Sequence, residues 1–285
     1  MSPAPPTLGI LNPRDGLTRF TLERFPPRPE LALFVQNYWS VRWDLTGQPA
    51  FEQEVLPHPC VNLAFEAERS AVHGPTTERF VAQLSGRGRV FGVKFKPTGF
   101  LAFARVPLTS VIARVLPIRD AMRTSADEAR AVIGSVLSDE TAEGNLARVE
   151  AFLLRCEPRA DADGALVEQL VTLAREDRSI SHVSQLARAG GLSVRSLHRL
   201  FERHVGLGPK WIIRRARAHH AAERVAGGQR VDFAALAQEL GYHDQAHFVR
   251  DFKAQVGFTP AAYAARCELA ARTPAVANSQ RALPE

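Results

Sequence analysis

The chain has 285 residues, 45% hydrophobic and 23% charged, which is ample for two domains that each bury a core. Apolar runs of about 18 residues or more are absent, so no membrane span is expected. The start, MSPAPPTLGILNPRDG, lacks the basic-then-apolar pattern of a secretory leader, and Cys60, Cys156 and Cys267 are far apart with no CxxC pair, so a disulfide framework and a cysteine zinc site are not expected either and a reducing cytoplasm is the expected setting.

In chain order, a first segment over residues 1–120 reads as β-rich. Between about Phe20 and Leu116, short runs of Val, Phe and Leu are broken by Pro57, Pro59, Gly74-Pro75, Gly86, Gly88, Gly92 and Pro97-Thr98-Gly99. Phe51–Leu56, Val61–Glu66, Phe80–Leu84 and Val90–Phe95 are predicted strands with turns between them. Residues 121–160, rich in Ala, Leu, Arg and Glu, are predicted to form a helical connector, and Asp161-Ala162-Asp163-Gly164 reads as a hinge. Residues 161–272 read as helical throughout. The tail, 273–285, has no periodicity and is expected to be disordered.

Charge follows the same division. Residues 1–177 carry a net charge of −2 and residues 178–285 one of +8, with seven of the nine histidines in the basic part. A basic module behind a neutral one suits a polyanion such as nucleic acid, although solubility alone accounts for it equally well.

The basic part repeats itself. In HVSQLARAGGLSVRSLHRLFERHVGLGP (182–209) and DFAALAQELGYHDQAHFVRDFKAQVGFTP (232–260), Leu186, Ala187 and Gly191 match Leu236, Ala237 and Gly241 at an offset of 50. After one extra residue in the second turn, Arg199, Phe201, Val205, Gly206 and Pro209 match Arg250, Phe252, Val256, Gly257 and Pro260. Each copy has the pattern of a helix-turn-helix: a short helix with one apolar stripe, an alanine that permits close crossing, a glycine at the reversal, and a second helix apolar on one face only. Ser193 and Asp244 are predicted caps of the second helices. Gly206 and Gly257 should end those helices, with Pro209 and Pro260 opening the next. Between the copies, Lys210–Ala226 is predicted to be one helix whose arginines lie beside phosphates or face water. His219 and His220 are adjacent, so they diverge on a helix and make no metal pair.

GLSVRSLHRLFERHVGLGP followed by LAQELGYHDQAHFVRDFKAQVGFTPAAY resembles the AraC/XylS family of transcription regulators, over roughly residues 165–267 and including the Gly257, Pro260 and Tyr263 end of that family's signature. The resemblance implies two helix-turn-helix units, joined by a long helix, that bind neighbouring major grooves. The implied base-facing residues are Arg195, His198 and Arg199, then Gln245, Ala246 and Arg250; Ser196, Arg203, Arg214, Arg215 and Lys253 complete the expected DNA-binding set. Two departures are Ala264, where many members carry arginine, and Ala246, which can offer a base only an apolar contact. LFVQNYWSVRW, VLPHPCVNLAFE, VHGP and GVKFKPTGFLAFARVP resemble a sensor-like domain that precedes this module in some members. The expected fold is therefore α+β: a β-rich barrel or cupin-like sensor domain, a helical connector, and an all-α double helix-turn-helix domain. Expected partners are double-stranded DNA and a small-molecule effector, with a homodimer as a further option; no membrane, cofactor, metal or catalytic activity is expected.

The rival reading places an enzyme or a reactive cysteine in residues 1–120. His58, Cys60 and His73 lack the spacing of a cupin metal site, and nothing basic flanks Cys60 closely in sequence to activate it. Glu52 and Glu54 share one face of a predicted strand, which more often means solvation than acid–base chemistry. Gly86-Arg87-Gly88-Arg89 lacks the lysine-serine end of a phosphate loop. Trp39, Trp43, Phe65, Phe91, Phe95, Phe100 and Phe103 fit a ligand pocket or a core.

Overall fold

The computed structural model describes residues 9–227 and 231–272; the tail expected to be disordered lies outside them. After a short turn of helix α1 (Pro13–Gly16), the strands are β1 (Thr21–Phe25), β2 (Val35–Leu45), β3 (Phe51–Val55), β4 (Asn62–Phe65), β5 (Ala71–His73), β6 (Phe80–Leu84), β7 (Gly86–Phe95) and β8 (Val115–Leu116). They form a six-stranded antiparallel sheet, β1-β2-β7-β4-β5-β8, and a two-stranded ribbon, β3-β6. The spine of the sheet is the long pairing of β2 with β7, from Val35↔Phe95 to Leu45↔Gly86.

The glycines expected to break up the sequence around residue 90 instead lie within one ten-residue strand. Gly88 faces Trp43 and Gly92 faces Trp39 across the ladder. A Cβ at either glycine would stand 2.2 Å from an indole carbon, so the two indoles lie across strand positions that only glycine leaves open. The alternation expected of a half-buried strand is lost there for that reason.

Helices α2 (Ile118–Ala121), α3 (Ala126–Ser138) and α4 (Ala142–Arg155) follow. Ser125 and Glu128 cap α3 reciprocally, and the Thr141 hydroxyl caps α4 by accepting the Gly144 N–H. These helices bury Val132, Val136, Val149, Phe152 and Leu153 in one core with Tyr38, Phe91, Phe95, Phe100 and Phe103. The segment expected as a connector is thus built into the front unit. Phe65 joins the same core, so Phe65, Phe91, Phe95, Phe100 and Phe103 are packing residues.

The rest is helical: α5 (Ala162–Glu176), α6 (Val183–Ala189), α7 (Val194–His204), α8 (Pro209–Ala226), α9 (Phe233–Glu239), α10 (Gln245–Val256) and α11 (Pro260–Arg272). The expected hinge at 161–164 is corrected: Asp161 caps α5 by accepting the Asp163 N–H, and Ala162, Asp163 and Gly164 form its first turn. Two cores share α8. Its first turns, through Ile212 and Ile213, pack with Val167, Leu170, Leu186, Leu197 and Phe201. Its later turns, through Ala218, Ala221, Ala222 and Val225, pack with Leu236, Phe248, Phe252, Val256 and Tyr263.

Candidate nucleic-acid interface

In each repeat, α7 or α10 presents a polar face because its other face is consumed by packing. On α7, Leu197, Leu200, Phe201 and His204 are buried, whereas Arg195, His198, Arg199 and Arg203 are exposed. Ser193 caps the helix, its hydroxyl accepting the Ser196 N–H at 3.1 Å. That cap also engages the half-buried Ser196 hydroxyl, 2.9 Å away. On α10, Phe248, Asp251, Phe252, Gln255 and Val256 are buried, and Gln245, Ala246, Arg250 and Lys253 are exposed. Asp244 caps α10 by accepting the His247 N–H at 2.6 Å. Ala187 and Ala237 are almost wholly buried at the crossings, where a longer side chain would force the paired helices apart. Gly191 and Gly241 take positive φ (62° and 71°) at the two reversals, a conformation costly for other residues.

The Gly257, Pro260 and Tyr263 triplet is structural. Gly257 closes α10 in the left-handed region with φ 90°, and Pro260 opens α11. Tyr263 packs on Phe252 and accepts the Asn12 N–H at 3.3 Å. Ala264 is half-buried against the second core, a position in which a guanidinium would be desolvated.

Helix α8 corrects the expectation for Arg215. Arg215 is 1% exposed, donates to the Thr77 carbonyl of the front unit at 2.6 Å and lies over the Trp211 ring at 4.7 Å. Burial lowers its pKa to about 10. It is therefore a packing residue and no phosphate contact in this conformation. Arg214 is exposed but committed to Asp251, its Nε donating at 3.0 Å. Arg217 donates to the Ser181 carbonyl and lies over Tyr242. His219 and His220 do diverge: His219 stacks on His58 of the front unit, ring centroids 4.0 Å apart, while His220 is half-buried. Arg215 thus faces the front unit, which covers one side of α8, whereas Arg214 stays exposed beside Asp251.

Sequence reasoning missed the network around Asp251. Its carboxylate accepts from Arg214, from the Tyr242 hydroxyl at 2.8 Å and from Gln255 Nε2 at 3.3 Å. The signal was present: Asp251 and Gln255 occupy the same helical stripe as Phe248 and Phe252, where a polar residue demands a buried partner.

The front unit touches both cores behind it. Leu11 and Leu56 sit in the second core, Ile112 packs on the first, and the Glu168 carboxylate of α5 accepts the Thr98 hydroxyl at 3.0 Å. Glu54 does not face solvent with Glu52; it pairs with Arg79 and with Arg266 of α11. Cys60 is buried, and burial pushes its thiol up to about 11, so it is held as an unreactive thiol. A groove of about 960 Å³ lies at the Leu45–Gly86 end of β2 and β7, lined by Phe20, Trp43, Arg42, Arg87 and Arg89 among others.

Residues 186–266 match the family model described as a helix-turn-helix domain. Both helix-turn-helix units of the C-terminal module fall largely within that match. Residues 23–117 match a model described as a domain of unknown function. A Haemophilus influenzae protein named as an uncharacterized HTH-type transcriptional regulator is 29% identical over 101 residues, which are 35% of this chain and 34% of that protein. The chain thus aligns with about a third of that relative's length. Among solved structures, the C-terminal domain of AraT, a response regulator from Geobacillus stearothermophilus, is 18% identical and covers 42% of this chain and 97% of its own, with a TM-score of 0.35. ToxT from Vibrio cholerae is 10% identical and covers 87% of this chain and 98% of its own, with a TM-score of 0.39. Among the described residues, no helix is long and apolar enough to cross a membrane.

Proposed function

We propose that the chain is a sequence-specific DNA-binding transcription regulator, with its AraC/XylS-type module reading two neighbouring major grooves. One observation carries this reading: two capped helices, α7 and α10, leave Arg195, His198 and Arg199, then Gln245, Ala246 and Arg250, exposed on their unburied faces. They flank a shared helix of 18 residues, about 27 Å long at 1.5 Å per residue, which suits grooves about 34 Å apart. Arg195 and Arg199 are suited to guanine, and Gln245 to adenine. Ala246 offers only an apolar contact, and the exposed Lys253 and Arg203 are assigned to phosphates. The front unit is the sensor, and the groove between Phe20, Trp43 and the arginines is its effector site.

The test is selection of bound duplexes from randomised DNA by the full-length protein and by Arg199→Ala and Arg250→Ala. The wild type should select a two-part site. Each variant should lose preference in one part, the parts lying about ten base pairs apart. Selection without any motif, or an unchanged motif in both variants, overturns the assignment.

A further inference from the structure

Where α7 ends, side chains from two distant stretches of the chain converge. His204 closes α7, and Asp161 and Asp163 stand at the start of α5. One imidazole nitrogen and one oxygen from each carboxylate lie within 4.8 Å of one another. The His204 side chain is only 1% exposed; its Nε2 has no hydrogen-bond partner and stands 3.9 Å from Asp161 Oδ2. Protein normally pairs a buried nitrogen, so one left over and aimed at two carboxylates is a vacancy in the hydrogen-bonding pattern.

We infer that Asp161, Asp163 and His204 form a site for a divalent first-row transition ion, with zinc as the reference case. One imidazole and two carboxylates make three protein ligands, leaving a fourth position for water. The imidazole excludes calcium and magnesium, which are held by oxygen and in larger number. At ligand distances of about 2.0–2.2 Å, a tetrahedral ion needs its ligand atoms about 3.4 Å apart. The 3.9 Å between His204 Nε2 and Asp161 Oδ2 is about 0.5 Å above that spacing.

Local charge favours a cation. Two carboxylates face one guanidinium, that of Arg203, 3.5 Å from Asp161 Oδ2. The Asp161 Oδ1 is taken by the Asp163 N–H at 2.9 Å, which satisfies part of the positive end of α5; Oδ2 meets the exposed Arg203 guanidinium, which an ion would displace. The carbonyl end of α7 adds negative potential on the other side. The sequence hides this set because Asp161 and His204 are far apart and no helical His-x-x-x-His spacing links them. An ion there would tie the first turn of α5 to the last turn of the helix that carries Arg195 and Arg199.

The experiment uses tag-free, full-length protein stripped with a chelator, titrated with Co²⁺ under visible absorption and then with Zn²⁺ in competition. One Co²⁺ per chain, displaced by Zn²⁺ and raising the melting temperature, is expected. Asp161→Asn keeps an equally good helix cap, and Asp163→Asn changes an exposed residue, so both should fold as the wild type does. Each should weaken metal binding about ten-fold or more while leaving the metal-free melting temperature unchanged. Absence of saturable one-to-one binding, or undiminished affinity in both variants, overturns the inference. The readout involves no DNA, so it stands apart from the proposed function.

Discussion

Asp251→Ala should loosen the second helix-turn-helix unit more than any exposed substitution on its recognition face. The carboxylate is 7% exposed and holds α10 to α8 and to the turn after α9 through Arg214, Tyr242 and Gln255. Removing it leaves the buried Tyr242 hydroxyl and the Gln255 amide without that acceptor, although Gln255 keeps its bond to the Arg214 carbonyl at 3.2 Å. A hydrogen bond to a charged group contributes about 1.5–3 kcal/mol, and the short Tyr242 bond should fall in that range. The Arg214 side chain is 44% exposed, so water replaces its partner and its share is at most about 1 kcal/mol. The total is about 2–4 kcal/mol, or a fall of roughly 5–15 °C in melting temperature at about 2–4 °C per kcal/mol. Thermal unfolding of Asp251→Ala, Tyr242→Phe and the double variant measures it. The coupling between Asp251 and Tyr242 should be about 1–3 kcal/mol. A loss below about 0.5 kcal/mol for Asp251→Ala, or strictly additive variants, would refute the view that this buried carboxylate organises α10.

Other outcomes follow from the same geometry. Lys253→Ala should reduce the salt dependence of DNA affinity by about one phosphate contact, whereas Arg215→Ala should leave that slope unchanged and lower stability by about 2–4 kcal/mol; titrations at several salt concentrations and thermal melts separate the two. In the selection experiment, Arg199→Ala and Arg250→Ala should each forfeit about 1–3 kcal/mol of discrimination at one position, read as the flattening of that position in the selected motif. Burial and the nearby Arg215 lower the His219 pKa from its ordinary value to about 3, so between about pH 6.5 and 3 the unfolded chain binds a proton that the folded chain does not. Stability from this group is therefore fully present above pH 6.5 and falls as pH drops towards 3, by at most about 1.4 kcal/mol per pH unit. Melting temperatures measured from pH 7 to 4 should fall less steeply in His219→Gln, and identical slopes would count against a buried neutral ring.

The helical half was readable because its determinants are local. Leu186-Ala187 and Leu236-Ala237, the turn glycines and the capping Ser193 and Asp244 act within a few residues of one another, and the structure forms the linking helix over Pro209–Ala226 as the spacing predicts. The front half was harder to read because its rules are set across the ladder. Val35–Leu45, the longest strand, and the glycine-bearing β7 make sense only as a pair, since Gly88 and Gly92 acquire their purpose from Trp43 and Trp39 on the other strand. The acidic start of α5 read as a hinge because Asp and Gly favour turns, yet the same carboxylate that favours a turn also caps a helix.

The site residues divide along the same line. Arg195, Arg199, Gln245 and Arg250 could be picked out from helical phase alone, since a face opposite Leu197 and Phe201, or Phe248 and Phe252, has nowhere to go but outward. Arg214 and Arg215 could not, because adjacent residues on a helix point about 100° apart and α8 has no single outer face. Its first turns belong to one core, its later turns to the other, and a third side belongs to the front unit through Thr77, Pro57 and His58. Which arginine meets protein is decided by a docking partner 138 residues away in sequence, Thr77, and periodicity carries no information over that distance. On the proposed function, a helix gripped on three sides is the element through which an effector in the front unit would reach α7 and α10 without touching either.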